Sequence, residues 1–173
     1  MFYQEKQNFR KPLVWMLVSV SILPVLGIML YGCYIQLIAG KLWGNNPMSD
    51  TALLLITLIV FIVSLAIFWM IFSAELELQL KDKSVQYNFY PFLGKKVIHF
   101  HEIQSWEIKV IRPLIEYGGY GWRITPKTKA YIISGKNAVI LKPKQGKQIA
   151  IDTINPEGLQ LALEKEWHPI REY

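Results

Sequence analysis

Residues 117–122, Tyr-Gly-Gly-Tyr-Gly-Trp, form the most distinctive stretch of the chain. Three glycines permit positive φ or a close backbone approach, and Tyr117, Tyr120 and Trp122 offer stacking surface between Arg112 and Arg123. The stretch reads either as a tight corner whose aromatics pack inward or as a loop that cradles a ligand. It is not a phosphate loop, because no Gly-Lys-Ser/Thr follows it, and Gly135-Lys136-Asn137 lacks the hydroxyl that would hold magnesium. His99 and His101, two apart on an expected strand, share a face and could both reach one metal. Glu102 points elsewhere, however, and His168 would have to supply a third ligand from beyond the last helix. A solvated strand face is the plainer reading, so no metal or other cofactor is expected. Glu75 and Glu77 also share a face, where paired carboxylates can do acid and base work; the outward side of an amphipathic strand explains them as well. No Ser-His-acid or Cys-His arrangement has a defensible spacing. An enzyme is therefore not expected.

The elements that must position these residues begin with two apolar blocks. The chain has 173 residues, 52% hydrophobic and 18% charged, with 19 Lys and Arg against 13 Asp and Glu. No charge falls between Lys11 and Lys41, and none between Asp50 and Glu75. Residues 13–39 would run about 40 Å as a helix, which spans a hydrocarbon layer of about 30 Å. Residues 52–74 also suffice, with Thr57, Ser64 and Ser73 as their only polar interruptions. Both read as transmembrane helices, and the first is about twice the length of a signal-peptide core. The sole cysteine, Cys33, lies inside the first block, so a disulfide scaffold is excluded. Neither block carries the ionisable group that a channel or ion-coupled transporter places at membrane depth, and the pair reads as an anchor.

Lysine and arginine counts set the orientation. Lys6, Arg10 and Lys11 precede the first span and Lys81, Lys83, Lys95 and Lys96 follow the second, whereas the loop 40–51 holds only Lys41. Trp15 and Trp69 fall near the inner boundary and Trp43 just outside the outer one. The expectation is a multi-pass protein of the cell's inner membrane, with residues 1–12 a cytoplasmic tail, 40–51 an external loop and both termini cytoplasmic.

From Glu75 the apolar period changes to two. Leu76, Leu78 and Leu80, then Val85, Tyr87 and Phe89, then Ile98 and Phe100, then Trp106, Ile108 and Val110 mark four strands. Short apolar pieces at 122–124 and 130–134 follow, and 138–142 and 148–151 flank a hairpin turn at 143–147. About seven strands are expected. Asn155 suits an N-cap and Pro156 the first helical position, with Leu159, Ala162, Leu163 and Trp167 as the apolar stripe and Pro169 as the stop. One amphipathic helix should cover an open end of the sheet.

This order of elements, with Tyr90-Pro91-Phe92 closing the second strand, Ile103 ahead of Trp106, the run Arg112-Pro113-Leu114-Ile115-Glu116-Tyr117-Gly118-Gly119-Tyr120-Gly121-Trp122-Arg123, and the helix start Asn155-Pro156-Glu157, resembles bacterial two-span membrane proteins with a pleckstrin-homology-like domain. The resemblance covers the region from Glu75 to Glu166 and the anchor. It implies a membrane α + β protein in which residues 75–173 form a seven-strand curved sheet or barrel closed by a C-terminal helix.

The expected function is a membrane-anchored binding or scaffold module that presents a protein-interaction surface, with a protein partner or a second copy of the chain docking on Arg112, Tyr117, Tyr120, Trp122 and Arg123. The alternative is a peripheral sensor of anionic lipid. The part from Glu75 onward carries 15 Lys and Arg against 11 Asp and Glu, with lysines gathered in turns at Lys81, Lys83, Lys142, Lys144 and Lys147. Each would gain about 1 kcal/mol beside anionic lipid. Phosphoinositide-binding pleckstrin-homology domains place basic residues on the second strand, where this chain has Gln86 and Asn88. Nucleic acid is not an expected partner, since the basic residues are scattered over turns with no basic helix.

Overall fold

The computed structural model describes residues 3–167 and falls into two compact units, residues 10–72 and a second formed by residues up to 9 together with those from 73 on. In the first unit, α1 (Pro12–Cys33) opens with proline at its first turn, runs on through Pro24 and ends in a π-helical turn, Tyr34–Ile38. α2 (Asp50–Ser73) returns. Both are long and apolar enough to cross a membrane, and most of their large side chains are exposed along their lengths. The buried exceptions on α2, Leu53, Thr57 and Ser64, lie on one face at helical spacing. Two of the three polar interruptions thus serve the seam between the helices, where Cys33 Sγ lies 3.2 Å from Thr57 Oγ1. At one end Trp15 stacks on Phe68 and Arg10 sits 4.4 Å over the Phe72 ring. At the other, Gln36 donates to Met48 O and Asp50 Oδ1, both at 2.7 Å, and Trp43 occupies the space that a side chain at residue 32 would need, which requires Gly32.

The second unit holds nine strands among the described residues, where about seven were expected, and they form two sheets without closing a barrel. The first sheet is β1 (Tyr3–Asn8), β2 (Glu75–Lys81), β3 (Ser84–Tyr90) and β4 (Leu93–His99), all antiparallel in that order. β1 corrects the reading of residues 1–12 as a tail: Asn8 pairs with Glu75 and Tyr3 with Leu80. β4 begins earlier than expected, at Leu93, and Phe100 leaves it for a 3₁₀ turn, Phe100–Glu102, in which Glu102 accepts the His99 amide at 2.8 Å. That turn redirects the chain into the second sheet. Its strands are β5 (Ile103–Val110), β6 (Gly121–Ile124), β7 (Thr128–Ile132), β8 (Asn137–Pro143) and β9 (Gln148–Thr153), in the order β5-β8-β9-β7-β6 with β7 parallel to β9. β8 and β9 form the expected hairpin, and the pieces at 122–124 and 130–134 resolve into β6 and β7.

Period-two alternation sends Leu76, Leu78, Leu80, Val85, Tyr87 and Phe89 of the first sheet into one core with Tyr131, Ile133, Val139, Leu141, Ile149 and Ile151 of the second. α4 (Pro156–Glu166) adds Leu159, Ala162 and Leu163, and Trp106 meets Trp167 edge to face at 6.2 Å. Asn155 caps it by accepting the Gly158 amide at 3.0 Å. Pro169 lies outside the described residues. Burying each of these leucines contributes about 1.5–3 kcal/mol. A second cluster, Ile111, Tyr117, Ala130, Ile132, Ala138, Ile140 and Ala150, covers the opposite face of the second sheet.

Polar side chains fasten the two sheets. On β1, Glu5 and Gln7 point inward and are buried. Glu5 Oε2 accepts from Thr153 Oγ1 (3.1 Å), from the Ile154 amide (3.3 Å) and from the Tyr3 hydroxyl (3.0 Å), and Gln7 donates to Asp152 O (3.0 Å). Burial raises the Glu5 pKa above the ordinary carboxylate value, against those donors. Asp152, fully buried, accepts the amides of Ile133, Ser134 and Gly135 and the Ser134 hydroxyl, which shapes the β7–β8 turn.

Candidate functional site

The glycine-rich stretch is reached through a short helix. Arg112 precedes α3 (Pro113–Glu116), whose first position is the buried Pro113. Glu116 accepts the Arg112 amide at 2.8 Å and the Lys109 ammonium at 3.0 Å, and these donors, the backbone one first, hold its carboxyl below the ordinary range. The amides of Tyr117 and Gly119 both return to Pro113 O. Gly118, Gly119 and Gly121 then adopt φ of 74°, 131° and 88°, a left-handed run closed to other residues at low cost. It turns the Tyr117 ring inward onto the alanine-rich face of the second sheet.

The five residues expected to make contacts therefore divide. Tyr117 is buried and structural in its packing. Tyr120 stands against Gly135, where an added Cβ would come within 2.6 Å of the ring, yet it remains 44% exposed. Trp122 and Arg123 lie on β6 and point to opposite faces, Trp122 opposite Tyr131 and Arg123 opposite Ala130. The Arg123 guanidinium rests beside Gly119, 3.1 Å from the position of a Cβ there. Arg112 is exposed.

Four strands end the two sheets, and three carry features that discourage further pairing. β1 turns Glu5 inward, β4 is irregular in register and bears Gly94, Lys95 and Lys96, and β5 breaks register between Ile103 and Ser105 and bears Glu107 and Lys109. β6, though short and bearing Arg123, keeps an unbroken register with β7 and exposes Trp122 at 40% and Ile124 at 58% on one face. Sequence reasoning missed Ile124; strand alternation from Trp122 was the signal that would have found it.

The turn lysines are brought together in part. The Phe100 amide donates to Lys83 O, the Lys144 amide to Glu102 O and the Gln148 amide to Lys127 O, so the turns after β2, β4, β6 and β8 abut in series. Several of these side chains are engaged: Lys81 lies 3.9 Å from Asp82, Lys142 lies 3.6 Å from Glu107, and Lys147 donates to Thr125 O at 2.9 Å. Lys81 is also six residues along β2 from Glu75, about 20 Å at the strand rise.

His99 ends β4 and His101 lies in the 3₁₀ turn, so the expected shared strand face is not formed; their rings stack at 5.4 Å instead. His168 lies outside the described residues. Among the described residues no three His, Cys, Asp or Glu side chains gather as metal ligands. Glu75 and Glu77 form ion pairs with Lys6 across the β1–β2 ladder at 3.3 and 3.5 Å, a structural use of the paired carboxylates. Compared with protein-family models, curated proteins and solved structures, the chain matches none.

Proposed function

We propose that this chain is a membrane-anchored docking module of the pleckstrin-homology-like type, a binding or scaffold protein and not an enzyme, that receives a protein strand or a second copy of itself along β6. The observation that carries this reading is the exposure of Trp122 and Ile124 on a sheet edge that pairs, among the described residues, with β7 alone. A partner strand added there gains main-chain hydrogen bonds, and Trp122 and Tyr120 supply anchors of the kind that dominate interfaces. Arg112 and Arg123 select for an acidic flank on the partner. The pairing of β1 with β2 keeps the segments before α1 and after α2 on one side of any membrane the two helices cross, and the lysine bias favours the cytoplasmic side of the inner membrane. The test is photo-crosslinking in cells from residues 122 and 124, with Gln104 on β5 as the control position. A discrete protein adduct from β6 alone supports the reading, and adducts to lipid only refute it.

A second reading, a sensor of anionic lipid through Lys81, Lys83, Lys142, Lys144 and Lys147, draws support from the serial abutment of the basic turns. Binding of the full chain to anionic vesicles that is lost at high ionic strength would favour it.

A further inference from the structure

Half of the backbone groups of β6 are open to a partner, and the turn after it shows which half. The Thr125 amide donates to Thr128 O at 2.8 Å. That pair continues the β6–β7 register, in which Ile124 lies opposite Lys129, Arg123 opposite Ala130, Trp122 opposite Tyr131 and Gly121 opposite Ile132. An antiparallel ladder alternates between pairs that exchange both hydrogen bonds and pairs that exchange none. Thr125, Arg123 and Gly121 therefore direct their amides and carbonyls at β7, and Trp122 and Ile124 direct theirs at the open edge. Among the described residues no turn or loop takes up these outward groups. The open stretch is short at both ends. Pro126, the next residue whose backbone would face outward, has no N–H to donate, and Gly121 at φ 88° lies outside strand geometry. The edge thus offers two donors and two acceptors.

An antiparallel partner satisfies all four groups when its first and third residues lie opposite Ile124 and Trp122 as hydrogen-bonded pairs. Its middle residue then faces Arg123 in a non-hydrogen-bonded pair, where Cα atoms approach to about 4.5 Å and side chains are closest. The first and third side chains fall on the face where Trp122 and Ile124 are exposed, and the middle one falls on the opposite face with Arg123. Arg123 is exposed and forms no ion pair among the described residues, and Glu116, the acid nearest to it along the chain, already holds Lys109 at 3.0 Å. An opposite charge directly across a ladder stabilises the pair and a like charge destabilises it. Two copies of β6 in the same full register would set Arg123 against Arg123, so the edge discriminates against its own sequence.

Given that β6 is the docking edge of the proposed function, we infer that it recognises an antiparallel three-residue segment of a different protein, with apolar first and third residues and Asp or Glu between them. The test titrates the full chain in detergent with rhodamine-labelled heptapeptides, read by anisotropy. One has Val-Glu-Ile at its centre and another Val-Lys-Ile, both flanked by Ser and Thr, and the first is also made N-methylated at Val, at Glu or at Ile. The Glu peptide should bind saturably with a Kd of about 1 mM or tighter. It should bind about five- to tenfold more tightly than the Lys peptide at low salt, and the difference should shrink at high ionic strength. N-methylation at Val or Ile removes an amide that donates to the edge and should weaken binding at least about tenfold, whereas the Glu amide faces away and its methylation should change the Kd by less than about threefold. Arg123→Glu should invert the charge preference, a result that a misfolded variant would not give, and Lys165→Met on α4 should leave it unchanged. Equal binding of the Glu and Lys peptides, or loss of binding on methylating Glu alone, would overturn the pattern while leaving β6 a docking edge. Failure of every peptide would overturn it too, and cellular adducts from residues 122 and 124 would then show whether the docking edge itself stands. Self-association of the full chain that is lost in Trp122→Ser would overturn the discrimination against a second copy.

Discussion

Replacing Asp152 by asparagine tests how the second sheet holds its β7–β8 turn. The carboxylate, fully buried, accepts three backbone amides and one hydroxyl. The three amides converge on Oδ2 and the Ser134 hydroxyl alone reaches Oδ1, so asparagine can keep the amides on its one oxygen as neutral-acceptor bonds while its N–H₂ group costs the hydroxyl bond. Hydrogen bonds to a charged acceptor contribute about 1.5–3 kcal/mol each, against about 1 kcal/mol for a neutral one, so three weakened bonds and one lost set the cost at about 3–5 kcal/mol. Gly135 lies in this turn against the Tyr120 ring, so the damage should extend to the segment that leads into β6. The assay is amide hydrogen exchange of the full chain in detergent, with peptides of α1 and α2 as internal references. Exchange at Ile133, Ser134 and Gly135 should quicken by about 10²- to 10³-fold, at roughly 1.4 kcal/mol per decade. A change below tenfold would refute the view that this carboxylate organises the turn.

Further substitutions probe the remaining contacts. The raised Glu5 pKa makes the stability of β1 greatest below the ordinary carboxylate pKa and lowers it as pH climbs through the interval up to the folded-state value, beyond which the loss is complete. Glu5→Gln should abolish that decline in exchange protection of residues 4–8, and a decline that persists would locate its cause elsewhere. Leu78→Ala should cost about 2–5 kcal/mol in chemical unfolding, because Leu78 is wholly buried between the sheets; a loss under 1 kcal/mol would contradict the packing described. Gly32→Leu should expel Trp43 from its seat on α1, seen as a red or blue shift and greater quenching of its emission in a single-tryptophan background, at a cost of about 1–3 kcal/mol. Tyr117→Phe should leave binding and stability unchanged, whereas Tyr117→Ala should cost about 3–5 kcal/mol; reduced partner capture by the phenylalanine variant would give the phenol a role in contact.

Some of this architecture is legible in the residues alone because it depends on local pattern. The two long apolar helices follow from length and lack of charge, β2 and β3 from alternating leucines and aromatics, and α4 from the Asn155-Pro156 start. β1 escapes because its inward face is Tyr3, Glu5 and Gln7, which gives no hydrophobic alternation, and because its partner lies across both helices. Asp152 looks like any acid in a polar turn region until the three amides it gathers are placed around it. Tyr117, Tyr120 and Trp122 share one motif yet meet different fates, since the left-handed glycines that separate them decide which ring turns inward. Gln86 sits on the outward side of β3 by parity and is nevertheless buried by its neighbours, a property of three strands together that no single strand encodes.

The ladder joining Asn8 to Glu75 also constrains the order in which the molecule is made. Its first member leaves the ribosome before either apolar segment and its second only after both, so the leading strand has to stay unmated until both long helices have been made. Closing so wide a loop costs only slowly more with length, but it comes late. The strand left bare longest is therefore β1, and until β2 emerges a chaperone or a neighbouring nascent chain can settle on either of its flanks.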